Sequence, residues 1–281
     1  MTRSVLTVCT ADHFQHYIPM FLYCIRKWGK GVDVYIYVRG ELDDITQKVL
    51  NTVKTDKDHI IEDAFLDYPF NVSTTNSLRF ITIVPKAYDY TLIVDVDLLI
   101  MQDPFPWHIE KIMNTGLPFA GHRGPYHKPH RPEIAPSWTG DFGRVAGGFF
   151  CVTRAWWALV LEQQALQSME LFKGRMGHFR EADEVMLGRI IRGSGLPAPT
   201  DKHFPTELRG VHLGDFKETM RHRWTSQAKM QSKLTNNNCY AYIELTRTPA
   251  WNEMVEILEE DMALKQILQN VYIHIHERGL V

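Results

Sequence analysis

Short apolar runs alternate along this chain with longer stretches in which apolar residues recur at helical spacing. Ser4–Cys9 (SVLTVC) reads as a buried strand, and the apolar period from Tyr17 to Trp28 reads as a helix. Val32–Val38 (VDVYIYV) alternates as a strand does and closes at the turn Arg39-Gly40. Leu42–Val53 follows as a helix, with Asp43 and Asp44 suited to a first turn, where the helix dipole favours carboxylates. Ser77–Tyr88 predicts a helix that Pro85 ends or kinks. Thr91–Met101 (TLIVDVDLLIM) is the clearest strand and stops at Asp103-Pro104. Leu117–Gly121 and Gly147–Thr153 are further strands, while Arg154–Phe172 and Ala182–Arg192 are helices. A last helix is expected over Trp251–Tyr272.

Strands and helices in this alternation predict an α/β fold, a mostly parallel sheet with helices on both faces. Ligands of such sheets bind beyond the carboxyl ends of the strands. Two segments break the rhythm. One is a long loop, His122–Arg144, rich in Pro, Gly and His; a loop of that length inside a domain is usually functional. The other begins after Lys217 and holds the polar run Ser232–Asn238. The expected division is therefore a core over residues 1–218 and a helical C-terminal extension, 219–281, packed on it. The apolar face of the last helix fits that packing, or a dimer contact.

Composition narrows the function classes. The 281 residues carry 31 Lys+Arg against 33 Asp+Glu, so the near-neutral charge of −2 argues against a generally polybasic nucleic-acid binder. With 44% hydrophobic and 23% charged residues, the composition is neither that of a disordered chain nor that of a coiled coil. No apolar run reaches the ~20 residues of a membrane span. The N-terminal apolar stretch is too short and too soon polar for a signal peptide. The 4 cysteines, Cys9, Cys24, Cys151 and Cys239, show no CxxC spacing, which argues against a disulfide scaffold or a zinc site. A reducing, cytoplasmic setting is expected.

The segment richest in chemistry is Leu92-Ile93-Val94-Asp95-Val96-Asp97-Leu98-Leu99-Ile100. Two carboxylates interrupt an apolar strand, where a charge is costly unless paired or metal-bound. Period two puts Asp95 and Asp97 on one side of that strand, where they repel one another and a divalent cation would relieve the repulsion. Hard oxygen ligands suit Mg²⁺ or Mn²⁺. The alternative is a strand that ends early, leaving two solvated loop aspartates.

Three further segments add to this. Gly210-Val211-His212-Leu213-Gly214-Asp215-Phe216-Lys217 offers a nitrogen ligand in His212, close backbone approach at Gly214, and a phosphate-seeking cation in Lys217. Asp183 and Glu184 stand at the start of a helix, as ordinary first-turn carboxylates or as catalytic groups. Gly147-Gly148 enters a strand as a bulge would, or as backbone pressed against a ligand.

Taken together, these segments resemble the GT-A glycosyltransferases, nucleotide-sugar-dependent enzymes with a Rossmann-like core. The resemblance spans roughly residues 4–217. It rests on the DxD motif Asp95-Val96-Asp97, the glycines Gly147 and Gly148, the acidic motif Ala182-Asp183-Glu184, and His212. Thr10-Ala11-Asp12 after the first strand and Ser77-Leu78-Arg79-Phe80 before the DxD strand are similar to the family 8 type. His212-x-Gly214-x-x-Lys217 is one residue shorter than that type's His-x-x-Gly-x-x-Lys-Pro-Trp. The resemblance implies a nucleoside diphosphate sugar donor held by Thr10, Ala11, Asp12, Arg79, Asp95, Gly147, Gly148, Gly214 and Lys217. It implies Mn²⁺ or Mg²⁺ bound by Asp95, Asp97 and His212, and Asp183 or Glu184 as the catalytic carboxylate.

The acceptor is then a glycan or another hydroxyl. Basic residues of the His122–Arg144 loop and of 219–243 raise an anionic acceptor, modified nucleic-acid bases included, against the plainer reading of a solvated charged face. Two other classes stay open at this point. One is phosphotransfer with Asp95 as nucleophile; the other is a nucleotide-sugar-binding protein that does no transfer.

Overall fold

The structure, a computed structural model, describes residues 1–12, 14–67, 75, 77–121, 148–161, 182–197, 199, 210–216 and 236–280. The chain opens with β1 (Arg3–Thr10), α1 (Tyr17–Trp28), β2 (Asp33–Arg39), α2 (Asp44–Val53) and β3 (Asp58–Ile61). β1 pairs in parallel with β2, and β2 with β3, so the chain walks outward along one side of the sheet. It then returns to place β4 (Tyr90–Val94) on the other side of β1, again in parallel. β7 (Phe149–Thr153) runs antiparallel beside β4, and β6 (Phe119–Ala120) closes the edge, giving the order β3-β2-β1-β4-β7-β6. The change of direction after β1 makes the crevice between β1 and β4 the switch point, where α/β sheets bind ligands.

Side-chain alternation explains why both faces are covered. Val5 and Cys9 of β1 join one apolar cluster with Leu92 and Val94 of β4 and with α1 and α2, while Leu6 and Val8 face the other way. That second cluster holds Leu6, Val8, Ile93, Phe150 and Val152, covered by Trp156, Trp157 and Val160 from α4 (residues 154–161) and by Leu187, Ile190 and Ile191 of α5 (Ala182–Gly193). The expected α/β sheet with helices on both faces is what the chain forms. Helix boundaries follow local chemistry too: the Asp43 carboxylate accepts from Thr46 N–H and caps α2.

Three predicted elements are corrected. The helix expected over residues 77–88 stops almost at once. Thr75, Ser77 and Leu78 are helical, Phe80 N–H donating to Ser77 O and Thr82 N–H donating to Leu78 O close the last turn, and the backbone then runs on without helical bonds to β4. The single strand expected over residues 91–101 is two. β4 stops at Val94, and β5 (Leu98–Ile100) belongs to a separate sheet, antiparallel to β8 (Gly210–His212). The long final helix is also two, α7 (Pro249–Leu258) and α8 (Met262–Glu277), preceded by α6 (Asn236–Thr246). Asp261 makes the break, because its carboxylate accepts from Ala263 and Leu264 N–H and starts α8 afresh. Pattern reading also passed over β3 and the helix α3 (Phe105–Thr115). The rest of the predicted 154–172 helix and the loop 122–144 lie outside the described residues.

The C-terminal helices join the first cluster through Trp251, Met254, Leu258, Leu264, Ile267, Val271 and Ile275. A polar clasp fastens the same helices to the core. His16 lies between two cap carboxylates, its Nε2 2.8 Å from Asp43 and its Nδ1 on Asp261. Burial alone would lower the His16 pKa, but the two carboxylates reverse this and raise it above the ordinary histidine value. Asp43 moves the other way: burial raises its pKa, while the Thr46 backbone and His16 bring it below the usual carboxylate range.

The raised His16 contributes stability that is complete below its unfolded pKa of about 6.5 and is lost as pH rises through its folded value. The lowered Asp43 contributes above about pH 4 and loses its part on acidification. The clasp is therefore expected to be strongest between these limits. Its contribution, about 2 kcal/mol for charge-assisted hydrogen bonds, should disappear on moving to alkaline pH and be missing at every pH in His16→Phe. Urea unfolding of both chains across pH 5–9 measures this; parallel curves would contradict it.

Candidate metal and donor site

The break between β4 and β5 builds the site. Asp95 N–H donates to Gly148 O, Leu98 N–H donates to Asp95 O, and Leu213 N–H donates to Asp97 O. These bonds turn the chain out of the main sheet immediately after β4 and seat it against β8. In an extended strand, residues two apart stand about 6.6 Å from one another. Here the ligand atoms of Asp95, Asp97 and His212 all lie within 4.8 Å of one another. His212 Nε2 is 3.4 Å from Asp97 Oδ1 and 3.7 Å from Asp95 Oδ2. A cation ~2.1 Å from each of its ligands sets neighbouring donors about 3–4 Å apart, so the spacing fits. The early end of the strand, the blander of the two sequence readings, thus leaves neither aspartate as a freely solvated loop residue.

Burial and charge agree with a cation at this point. The Asp97 side chain is 8% exposed and that of Asp95 23%, with His212 more open at 37%. Arg79, itself 1% exposed, makes an ion pair with Asp95 Oδ1 and leaves Oδ2 on the His212 side. Burial would raise the Asp95 pKa, but Arg79 first and His212 after it hold the carboxyl well below its usual range. The local field is negative even so. Cys9 beneath the site has its thiol pKa pushed up by burial and then by Asp12 and Asp97.

Glycines clear the space. A Cβ on Gly148 would lie 2.6 Å from Asp95 Oδ2, and one on Gly214 would collide with Asp97 Oδ2 and stand 2.9 Å from His212 Cε1. A side chain at either position would have to displace a carboxylate of the group, so the backbone is pressed on the carboxylates rather than only on a ligand. Two carboxylates, one imidazole and this glycine-lined room make a donor set that fits Mn²⁺ or Mg²⁺.

The residues that the resemblance assigns to the nucleotide, Thr10–Asp12, sit at the carboxyl end of β1. Thr10 is buried, and its hydroxyl donates to Asp12 Oδ1 at 2.8 Å, which Phe14 N–H also reaches at 3.1 Å. Ala11 N–H donates to Arg39 O, tying this turn to the end of β2. Thr10–Asp12 and Asp95 therefore follow adjacent parallel strands and flank the switch-point crevice. Asp183 and Glu184 lie in the first turn of α5, and their side chains are outside the described residues, as are Gly147 and Lys217. Sequence reasoning passed over Gln15, His16 and Asn270, polar residues whose partners are far away in the chain and leave no local signal.

No protein-family profile matches the chain, and no curated protein matches its sequence. Solved structures do match. The galactosyltransferase LgtC, in complex with donor and acceptor sugar analogs, aligns with 92% of this chain and 96% of its own at 13% identity and a TM-score of 0.49. An active-site mutant of LgtC aligns with 84% of this chain and 83% of its own, at 13% identity and a TM-score of 0.44. The glycosyltransferase GlyE of Streptococcus pneumoniae TIGR4 aligns with 71% of this chain at 11% identity and a TM-score of 0.43, and the match spans 45% of GlyE. Among the described residues, no helix is long and apolar enough to cross a membrane.

Proposed function

We propose that this protein is a divalent-metal-dependent glycosyltransferase that moves a sugar from a nucleoside diphosphate sugar to an acceptor hydroxyl. The observation that carries the reading is the Asp95–Asp97–His212 group at the switch-point end of the sheet, with two glycines opening the space around it. A bound Mn²⁺ or Mg²⁺ would supply positive charge against the diphosphate that leaves. Asp95, Asp97 and His212 would hold it, and the buried Arg79 keeps Asp95 ionised and aimed.

Thr10, Ala11 and Asp12 are assigned to the nucleoside, and Lys217, one residue beyond the 3-10 turn Leu213–Phe216, to the phosphates. In the reaction, the bond between the sugar's anomeric carbon and the phosphate oxygen breaks, and its electron pair stays on the diphosphate. A new bond forms from the acceptor oxygen, whose proton must leave. Asp183 is the carboxylate we favour over Glu184, as the base for that proton or as the charge facing the oxocarbenium-like carbon. The extension 219–281 is assigned to the acceptor side, where a glycan fits the near-neutral charge of −2 better than a nucleic acid does.

A screen of nucleoside diphosphate sugars, each with Mn²⁺, Mg²⁺ or chelator, tests the class. One donor should raise the unfolding midpoint only with metal and then hydrolyse slowly. A silent screen together with a covalent aspartyl-phosphate on Asp95 would instead establish phosphotransfer.

A further inference from the structure

We propose that α8 is a strut that fixes the metal-ligating turn relative to the nucleotide loop, with Asn270 and His16 as its positioning residues. The proposal rests on the metal reading above. Midway along the strut, Asn270 Nδ2 donates to Phe216 O at 2.9 Å, and Gln266 Nε2 donates to Asn270 Oδ1 at 3.0 Å, which sets the amide's orientation. Phe216 closes the 3-10 turn Leu213–Phe216, which begins at the residue after His212 and whose first N–H is bonded to Asp97 O. The Phe216 ring lies 6.1 Å from the His274 ring, one turn further along α8.

At the N-terminus of the strut, Asp261 caps α8 and takes His16 Nδ1. His16 Nε2 reaches Asp43, Asp43 N–H donates to Gln15 Oε1 at 2.7 Å, and Gln15 Nε2 donates to Ala11 O at 2.7 Å. A continuous hydrogen-bonded path therefore runs from the Thr10–Asp12 turn to Asp261. The 16-residue helix α8 carries it onward as a rigid body to the turn that follows His212.

The apolar face of α8 does a different job from these two clamps. Leu264, Ile267, Leu268, Val271 and Ile275 hold the helix on the core by burial, which is non-directional and tolerates small slides along the axis. Hydrogen bonds at Phe216 O and at Asp261 are directional and fix the axial position. A shift of a few tenths of an ångström at Phe216 reaches His212 through one short turn, and a cation site is sensitive to ligand displacements of that size.

The test is Mn²⁺ alone, titrated by electron paramagnetic resonance into the full chain at pH 7.5, well below the unfolding midpoint. Asn270→Leu keeps the volume and removes the donor, and it is expected to weaken Mn²⁺ binding about tenfold, the lower end of what outer residues of metal sites cost. His16→Leu should weaken it in the same direction from the N-terminus of the helix. Asn270→His, which keeps a ring N–H close to the amide's position, should restore binding to within about threefold by the same measure. A purely structural role would lower the unfolding midpoint of the Leu variants and leave their Mn²⁺ affinity equal to the parent's, and that result overturns the strut. If Asn270→Leu does not fold, His16→Leu and Asn270→His decide alone. A parent chain that binds no Mn²⁺ would sink the metal reading and the strut together; a parent that binds it while both Leu variants match it would sink the strut only.

Discussion

Asp97→Ala is expected to lower turnover of the donor by about 10²–10³-fold, the size of losing a key electrostatic contact in an enclosed site. Asp97 is the most buried of the three proposed ligands, at 8% side-chain exposure, and its backbone O also accepts from Leu213 N–H, so the residue joins the β4–β5 turn to the segment after His212. Removing its carboxylate leaves Asp95 and His212 as a two-point site, which leaves most of a divalent ion's inner positions to solvent. The loss should appear in turnover more than in the apparent donor affinity, because the charge being stabilised develops as the bond breaks. Asp97→Asn, which preserves shape and removes charge, should be nearly as damaging. Near-normal turnover in either variant would take the cation out of the account. Steady-state kinetics at saturating Mn²⁺ make the comparison.

Arg79→Met is the second large effect, and it falls on stability before chemistry. Arg79 is 1% exposed, its guanidinium lies 4.9 Å from the Phe80 ring, and it pairs with Asp95. Methionine fills much of the volume but leaves the partly buried Asp95 carboxylate, 23% exposed, without this cation. Breaking a fully buried pair from one side costs about 3–5 kcal/mol, and the partial exposure of Asp95 places this pair toward the lower end. Since Arg79 and His212 hold the Asp95 pKa low, Asp95 in the parent contributes stability above the ordinary carboxylate pKa and loses it as pH falls through the lowered folded value. The variant should lack much of that contribution, so the gap between parent and variant is widest near neutrality and narrows on acidification. Urea unfolding in chelator at pH 7 and pH 4 measures both quantities. A difference below about 1 kcal/mol at pH 7 would mean that Asp95 does not depend on Arg79 for its charge. With Mn²⁺ added, part of the loss should return, because the ion replaces one positive neighbour with another.

Local pattern was enough for the elements from β1 to α2 and for picking out the three residues of the candidate metal group. Alternation in β1 and β2, the apolar period of α1 and the capping carboxylate of α2 all express nearest-neighbour physics, and the sequence carries them openly. Asp95, Asp97 and His212 stood out because charged or ligating side chains in apolar runs are costly without a partner.

What the pattern concealed was set by distant partners. LIVDVDLLI reads as one strand because its side chains are apolar on both sides, but Gly148 O and Leu213 N–H take the backbone bonds that end it at Val94. The turn, rather than strand period, brings the two aspartates together. Residues 77–88 have helical spacing, yet from Arg79 on the segment leaves the helix to bring that buried arginine to Asp95 and then lead into β4. The split of the last helix at Asp261 was written in an ordinary cap residue that the long apolar period masked. The clasp at His16 and the bond from Asn270 join residues 245 and 54 positions apart, a separation that single-chain pattern does not encode.

The most direct test of the central claim is a crystal of the full chain grown with Mn²⁺ and a nucleoside diphosphate, with data collected at the manganese absorption edge. One anomalous peak is expected, bounded by Asp95, Asp97 and His212 and touching the diphosphate, with the nucleoside beside Thr10–Asp12. A diphosphate bound elsewhere on the chain, or bound at this crevice with no manganese between it and the two aspartates, would contradict that claim.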